Sequence, residues 1–197
     1  AISIFRRNTE AGDVTNFGKL TYVGERRLGD AGSGGAAVGL DGVLNLAVSP
    51  DGEHLSAAGV DASAIAVFAS NKVTGSLKFL EALADGQEVN CQPTPEKCTL
   101  ASAGGAAGVA VSPDGLNVYL AASADAALVA FERDGAPPSF AFIGGQPTVP
   151  DGPAFDPPIP VRDGLHGVDG LAGASAVASI DNDHVFATGL SDKALVS

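Results

Sequence analysis

The sequence repeats itself, and this repetition limits the folds open to the chain more than any other feature. Residues 43–68, VLNLAVSPDGEHLSAAGVDASAIAVF, recur as residues 106–131, AAGVAVSPDGLNVYLAASADAALVAF, at the 63-residue spacing that separates Ser49 from Ser112. In a less regular third copy, Ser179 is matched to Ser112 at a spacing of 67 residues. Repetition at a nearly fixed spacing predicts that one supersecondary unit is stacked several times.

Each copy begins with two short strands joined by a tight turn. The apolar residues Leu46 and Val48 recur at alternate positions, as Val109 and Val111 do in the next copy, and this period of two indicates a strand with one buried face. The turn that follows is Ser-Pro-Asp-Gly in both copies, where proline presets φ, aspartate caps the turn and glycine accepts a positive φ. Four residues cannot support a crossover, so the second strand runs antiparallel to the first.

A third and a fourth strand complete the unit. The third ends at Phe68 in one copy and at Phe131 in the next, and the fourth is predicted at residues 77–80 and 140–143. Four short antiparallel strands per repeat are typical of a β-propeller blade, and the many alanines and glycines of the first strands suit a crowded central axis. The sequence therefore predicts an all-β fold, a β-propeller or a segment of one with about three blade-equivalents. A solenoid rich in alanine and glycine is the alternative.

Residues 109–135, VAVSPDGLNVYLAASADAALVAFERDG, resemble the repeats of the YVTN/lactonase-type propellers of bacteria and archaea, the 6-phosphogluconolactonase-like family. The resemblance extends over most of the chain as a repeat pattern, and it implies a seven-bladed propeller. It implies no single activity, because the family includes sugar-lactone hydrolases as well as surface-protein repeats. The catalytic acid, histidine and arginine of the hydrolases have no motif in this sequence to which they can be matched, so no catalytic residue is assigned.

The charge balance restricts the partners of the chain. Its 197 residues correspond to one domain, and 23 acidic against 11 basic residues give a net charge of −12 at pH 7. This acidity argues against binding to nucleic acid or to an anionic membrane, since phosphate neutralisation needs clustered lysine and arginine. No run of 18 apolar residues occurs, so no membrane insertion is expected. The acidity favours colloidal stability in a salty or extracellular setting, and affinity for a divalent cation is the alternative.

The two cysteines, Cys91 and Cys98, flank a short polar segment that contains two prolines. A small loop closed by a disulfide is the natural interpretation, because a metal site would need further ligands close by. A disulfide implies an oxidising compartment, so the protein is expected to be secreted, periplasmic or on the cell surface.

The two ends of the sequence match different parts of one blade. Residues 1–27 correspond to outer strands, residues 43–82 and 106–143 to two blades, and residues 174–197 to the inner strands of a split blade. The chain lacks methionine, so we expect a processed or truncated start, and three blades are not expected to close a ring. A homo-oligomer or a longer parent chain is therefore expected. Strands that join copies would contain Ile2, Ile4, Phe5, Ala194, Leu195 and Val196.

The three histidines are candidates for chemistry. His54 and His184 occupy the same repeat position on separate blades, which favours a structural role. His166 lies beside an arginine and an aspartate in the proline-rich segment 144–170, so it has the best company for catalysis. A proline-stiffened loop that covers one end of the ring is nevertheless the favoured interpretation of this segment.

Asp181 and Asp183 form a candidate metal site. They replace part of Pro-Asp-Gly in the third copy, and their oxygens could hold Ca²⁺, although the spacing lacks the EF-hand pattern. No other cofactor is expected.

Two functions from different classes remain open at this point. The favoured one is a non-enzymatic extracellular or cell-surface propeller module that acts through self-assembly and protein contact, with split blades completed between chains. The alternative is a lactonase-like hydrolase that acts on a sugar lactone or a related small molecule in the central channel.

Overall fold

The computed structural model describes residues 1–32, 35–91, 97–133, 140–142, 161–164 and 168–196. None of these residues forms a helix long and apolar enough to cross a membrane. The strands in chain order are β1 (Ile2–Arg7), β2 (Leu20–Arg26), β3 (Ala31–Gly32), β4 (Gly35–Ala36), β5 (Val43–Val48), β6 (His54–Gly59), β7 (Ala64–Ser70), β8 (Leu77–Ala84), β9 (Glu88–Asn90), β10 (Lys97–Thr99), β11 (Ala106–Val111), β12 (Asn117–Ala122), β13 (Ala127–Arg133), β14 (Phe140–Phe142), β15 (Val161–Arg162), β16 (Ala174–Ser179), β17 (Val185–Gly189) and β18 (Ala194–Val196).

These strands form antiparallel sheets that follow the sequence repeats. β5–β8 make a four-stranded meander, here called blade 1, and β11–β14 make blade 2, in which β15 also pairs with β13. β16–β18 form the three-stranded blade 3, and β1–β2 form the two-stranded N-terminal hairpin. The prediction of an all-β fold built from propeller blades is confirmed.

The Ser-Pro-Asp-Gly turn closes in the same way in blades 1 and 2. In blade 1 the N–H of Gly52 donates to the carbonyl of Ser49 at 2.8 Å, and Gly52 has a φ of 69°. The Ser49 hydroxyl donates to Asp51 at 2.5 Å and accepts from the N–H of His54 at 3.0 Å. A side chain thus satisfies backbone groups that the tight turn leaves unpaired, which explains the use of the same four residues twice.

The turn of blade 3 is one residue shorter. Val111 pairs with Val118 in blade 2, whereas Ser179 pairs with Val185 in blade 3, so six residues separate the first pair and five the second. Ser179 therefore takes the place of Val111 and not that of Ser112. This corrects the match made from the sequence, where identical residue types hid a deletion inside the turn.

The outer strand of blade 2 is interrupted. In blade 1, the last two residues of β8 pair with Ala64 and Ile65, and β15 makes the same two pairs with Ala127 and Leu128. Because β15 lies within the segment 144–170, part of the predicted loop is a strand. Residues 143–160 and 165–167 lie outside the described residues, so a covering loop within 144–170 stays a prediction.

The buried side chains lie between successive sheets. Ile65 of blade 1 packs with Val129 and Phe131 of blade 2 in one cluster. A second cluster joins Ile2 of the N-terminal hairpin to Phe68 of blade 1. Each such buried side chain contributes about 1.5–3 kcal/mol, so packing between sheets stabilises the N-terminal hairpin, blade 1 and blade 2.

Gly108 marks a close approach of two innermost strands, and replacing it with alanine is expected to be destabilising. An added Cβ would lie 2.9 Å from the Cα of Ala176 and 3.0 Å from the carbonyl oxygen of Ser175 in β16. We expect Gly108→Ala to lower the free energy of unfolding by about 1–2 kcal/mol. Gly24→Ala is the control, because nothing lies within 4 Å of the added Cβ there. Equal unfolding midpoints in urea for the two variants would contradict the close approach.

Candidate functional site

The N-terminal hairpin repeats the outer half of blade 1. Phe5 pairs with Tyr22 as Phe68 pairs with Phe79, and both sheets carry a register shift immediately before the phenylalanine. The two aromatic pairs have the same edge-to-face geometry: ring centroids are 5.8 Å apart at 69° in the hairpin, and 5.6 Å apart at 68° in blade 1. The hairpin therefore has the form of the third and fourth strands of a blade.

The equivalent phenylalanines differ in burial. Phe68 and Phe131 are fully buried, whereas Phe5 is 53% exposed and its neighbour Tyr22 is 55% exposed. The N-terminal hairpin contributes side chains to the buried cluster that contains Phe68, and blade 1 contributes side chains to the cluster that contains Phe131. Among the described residues no sheet covers Phe5 in this way. A phenylalanine that is buried at the equivalent positions of blades 1 and 2 is therefore open here, which is typical of a contact surface.

The innermost strand of blade 1 is open on the same side. Leu46 and Val48 in β5 are 45% and 57% exposed, while Val109, the equivalent of Leu46 in β11, is 4% exposed. β5 lies against β11, and Asn45 accepts a hydrogen bond from the N–H of Val109 at 3.3 Å. The open surface, here called the N-side face, is formed by Phe5, Tyr22, Leu46 and Val48.

The far side of blade 3 is open too. Ala176 and Ala178 in β16 are exposed, and Leu195 in β18 is 70% exposed. Gly108, the equivalent of Ala176 in β11, is buried against β16, and Ile65, the equivalent of Leu195 in blade 1, is fully buried. Ala176, Ala178 and Leu195 are here called the C-side face. The described part of the chain is thus an arc with an apolar surface at each end.

One strand of blade 3 also has an uncovered edge. β12 and β13 share six residue pairs in blade 2, whereas β17 and β18 share three in blade 3. Within the described ranges, Val185 and Phe186 therefore have no strand partner on this edge. Backbone groups left in this way are a template for pairing with another strand.

The residues predicted to join copies are distributed over both ends of the arc. Ile2 is buried and Ile4 is half-buried against blade 1, so these two side chains face inward. Phe5 points the other way and is exposed. In β18, Leu195 is exposed, while Ala194 and Val196 are half-buried. The open side chains are thus Phe5 and Leu195, whose roles in assembly stay a prediction.

The Asp181 carboxylate is used inside its own turn. Its Oδ1 accepts hydrogen bonds from the N–H groups of Asp183 at 2.9 Å and His184 at 2.7 Å, and the imidazole of His184 lies 2.9 Å away. The backbone hydrogen bond from Asp183, followed by the side-chain hydrogen bond from His184, lowers the pKa of Asp181. A Ca²⁺ site at Asp181 and Asp183 would have to share these oxygens, and it stays a prediction.

A different trio of carboxylates comes together in the described part of the chain. Oxygens of Asp163, Asp169 and Asp192 lie within 4.8 Å of one another. Asp192 accepts from the N–H of Ala172 at 2.8 Å, as Asp125 does from the N–H of Gly104 in blade 2. No motif in the sequence singles out Asp192. Its backbone contact recurs at Asp125, where the described residues form no such cluster. His166, the histidine with the best company for catalysis, lies outside the described residues.

Arg133 ties blade 2 to blade 1, a contact that no motif in the sequence predicts. Its guanidinium donates a hydrogen bond to the carbonyl of Gly115 at 3.0 Å and pairs with the Oδ2 of Asp51 in the turn of blade 1. The side chain of Arg133 is 11% exposed and that of Asp51 is 40% exposed. The one signal in the sequence is that the third strand of blade 2 ends in an arginine, where the third strand of blade 1 ends in Ser70.

The Arg133 contact changes the electrostatics of both neighbouring groups. Burial acts to raise the pKa of Asp51, but hydrogen bonds from Ser49 and Arg133 outweigh it and hold that pKa well below its usual range. Burial lowers the pKa of His54, and the nearby charge of Arg133 lowers it further. The Nδ1 of His54 is buried without a hydrogen-bond partner among the described residues. Arg133, through Gly115 and Asp51, thus links the turns of blades 1 and 2.

The disulfide between Cys91 and Cys98 is confirmed, with a Cα–Cα distance of 6.0 Å. The bond closes the end of the short β9–β10 sheet. Residues 92–96, between the two cysteines, lie outside the described residues. Cys91 is buried in the cluster between blades 1 and 2. The bond therefore anchors the connection between the two complete blades.

No protein-family model matches the chain, and no curated protein does either. Solved structures do match. A protein from Lactobacillus plantarum has 17% identity and a TM-score of 0.53, with 98% of this chain and 47% of that chain covered. The periplasmic gluconolactonase of Pseudomonas aeruginosa has 22% identity and a TM-score of 0.47, with 71% and 31% covered. The Cps50 (Swd1) β-propeller domain of Myceliophteria thermophila has 15% identity and a TM-score of 0.47, with 78% and 36% covered.

These similarities concern the fold. The chain spans less than half the length of each of the three structures. Lactonase-like and other propellers are both among the similar structures, so the fold is that of a β-propeller segment and the similarity favours no activity. The narrower resemblance to the YVTN family stays a prediction.

Proposed function

We propose that this chain is a non-enzymatic extracellular or cell-surface module, in which a second copy of the chain supplies the strands that complete blade 3. The observation that carries the proposal is the likeness of the N-terminal hairpin to the outer half of a blade, in pairing, register shift and aromatic pair. Blade 3 has two full strands, a short third strand and, among the described residues, no fourth. Each half thus has the strands that the other needs.

In the proposed assembly, β1 of the second copy lies along the edge of β17. There it displaces β18, which is held by three residue pairs, and extends the pairing toward Phe186. Each additional backbone hydrogen bond contributes about 0.5–1.5 kcal/mol. Phe5 of the second copy then packs against blade 2, as Phe131 packs against blade 1. Burial of this ring contributes about 1.5–3 kcal/mol, so the exchange favours the joined state.

The same arrangement covers the N-side face and the β16 part of the C-side face. Leu46 and Val48 on the N-side face of one copy meet Ala176 and Ala178 on the C-side face of the other. Large aliphatic side chains then pack on small ones, which lets innermost strands approach closely, as Gly108 allows inside the chain. Two complete blades and two halves per chain make three blade-equivalents, so two copies form about six blades related by a two-fold axis.

Two further observations support the compartment and the class of partner. The Cys91–Cys98 disulfide is stable in an oxidising compartment, which supports a secreted, periplasmic or cell-surface location. The net charge of −12 opposes nucleic acid and anionic membranes as partners. The proposed contact is mainly apolar and depends little on net charge, so acidic copies can still associate.

The test is the mass of the protein in solution, measured by light scattering coupled to size exclusion. We expect a species of twice the chain mass of 19.5 kDa at concentrations of about 10–100 µM. Deleting residues 1–8 removes β1 and is expected to return the protein to the monomer. Phe5→Lys, which leaves the inward-facing Ile2 and Ile4 in place, is expected to weaken the dimer without unfolding the chain. A dimer unchanged by both variants, or a wild-type monomer throughout, would refute the proposal.

The alternative function, a lactonase-like hydrolase, is tested separately. Incubation of the intact protein with sugar lactones, followed by pH-stat titration of the acid released, is expected to show no hydrolysis above the spontaneous rate. Catalysed hydrolysis that persists in the monomeric deletion variant would favour the enzyme over the assembly module.

A further inference from the structure

Arg7 occupies in the N-terminal hairpin the place that Arg133 occupies in blade 2. Arg7 follows Phe5 by two residues, Arg133 follows the equivalent Phe131 by two residues, and each is the last residue of its strand. Ser70 holds this place in blade 1. If β1 serves as the third strand of a blade, Arg7 is thus expected to make the contact that Arg133 makes.

The contact of Arg133 is with the preceding blade. Arg133 in blade 2 pairs with the Oδ2 of Asp51, which lies in the turn of blade 1. Asp114 is the equivalent of Asp51 in the turn of blade 2, and its Oδ1 is engaged in the same way, by the Ser112 hydroxyl at 2.5 Å and the N–H of Leu116 at 2.9 Å. The Oδ2 of Asp114 has no hydrogen bond or ion pair within the described ranges, so it is available to a cation.

The turn of blade 2 lies next to the turn of blade 1 on one side and to the turn of blade 3 on the other. An added Cβ on Gly115 in the turn of blade 2 would lie 3.4 Å from the ring of Pro50 in the turn of blade 1. The N–H of Asp114 donates to the Oδ1 of Asn182, in the turn of blade 3, at 3.1 Å. A strand that completes blade 3 therefore ends close to Asp114, as β13 ends close to Asp51.

We infer that Arg7 of one copy pairs with Asp114 of the other and so sets the register of the completed blade; the inference rests on the proposed function. Within the single chain, the guanidinium of Arg7 lies 5.7 Å from the ring of Phe17 and forms no ion pair with a described residue. Being exposed, it is free to reach a partner.

Charge complementarity favours a second copy as the partner. Residues 1–27 contain five basic residues and three acidic ones, a net charge of +2 by this difference. The rest of the chain then carries −14, since the total is −12. The basic hairpin of one copy attracts the acidic body of another copy. Two hairpins, or two bodies, repel each other. The pairing of hairpin to body is therefore favoured over hairpin to hairpin.

The test is a charge exchange, with dimer dissociation followed by sedimentation velocity or fluorescence dilution. We expect Arg7→Asp and Asp114→Arg each to raise the dissociation constant about tenfold or more, because each places like charges together. A mixture of the two single variants restores one pair of opposite charges at each shared blade, and so does the double variant, so both are expected to return to within about threefold of the wild type. Arg6→Asp is the control, since it changes the net charge equally one residue away.

The outcomes separate the ion pair from the assembly. A wild-type dimer that the single variants leave unchanged, or weaken no more than Arg6→Asp does, overturns the pair and leaves the proposed function standing. Single variants that weaken the dimer without recovery in the double variant also overturn the pair. A wild-type chain that stays monomeric overturns the proposed function and the pair with it.

Discussion

Replacing Phe68 with alanine is expected to lower the free energy of unfolding by about 3–5 kcal/mol. The ring is fully buried, makes an edge-to-face contact with Phe79, and belongs to the cluster that joins the N-terminal hairpin to blade 1. Its loss leaves a cavity that the surrounding strands cannot fill, because their hydrogen-bonded registers hold them in place. Chemical denaturation at a concentration that keeps the protein monomeric measures this effect.

Phe5→Ala is the matched control for this substitution. Phe5 has the same strand position and the same aromatic neighbour geometry, but it is 53% exposed in the single chain. We expect it to cost less than about 1 kcal/mol in the monomer, since little burial is lost. In the proposed dimer the ring is covered, so the same variant is expected to raise the dissociation constant about tenfold or more. Equal losses of monomer stability for Phe5→Ala and Phe68→Ala would contradict this account of the open face.

Replacing Arg133 with leucine is expected to lower the free energy of unfolding by about 2–3 kcal/mol at pH 7. The substitution removes the hydrogen bond to Gly115 and leaves Asp51 without its counter-charge. The expected loss is below that for a fully buried pair, because the Asp51 side chain is 40% exposed and solvent screens it. Arg27→Leu is the control: its pair with Glu25 is exposed, and its loss is expected to cost less than about 0.5 kcal/mol.

The difference in stability between the wild type and Arg133→Leu is expected to depend on pH. The pKa of Asp51 is lower in the folded protein than in the unfolded chain, where it is about 3.9. The ionised carboxylate thus stabilises the fold at pH values above about 4, and this contribution is lost as the pH falls toward the lower folded pKa. Thermal unfolding of both proteins from pH 7 down to about pH 2 should show the two melting temperatures converging as the pH falls below about 4. A constant gap would mean that Arg133 acts through packing and not through Asp51.

The repeat was sufficient to predict the blade, because each of its parts depends on local chemistry. Alternation of Leu46 and Val48, and the Ser-Pro-Asp-Gly turn, specify two antiparallel strands without reference to the rest of the molecule. The correspondence of Phe5 with Phe68 likewise predicted that the first strand is the third strand of a blade, and β1–β2 has that pairing. The nearby cysteines predicted the disulfide, since seven positions of separation allow a small closed loop.

The sequence could not reveal contacts between blades, which join residues far apart in the chain. Arg133 and Asp51 are 82 positions apart, and only the stacking of two sheets brings an arginine of one repeat to an aspartate of the previous one. The same stacking determines that Phe68 is buried and Phe5 is exposed, although the two have the same local sequence pattern. Register was also hidden, because a one-residue deletion in the third turn leaves Ser179 aligned by residue type and displaced in the sheet. Local hydrogen bonds and alternation specify each blade, whereas burial and charge pairing depend on which sheet lies beside it.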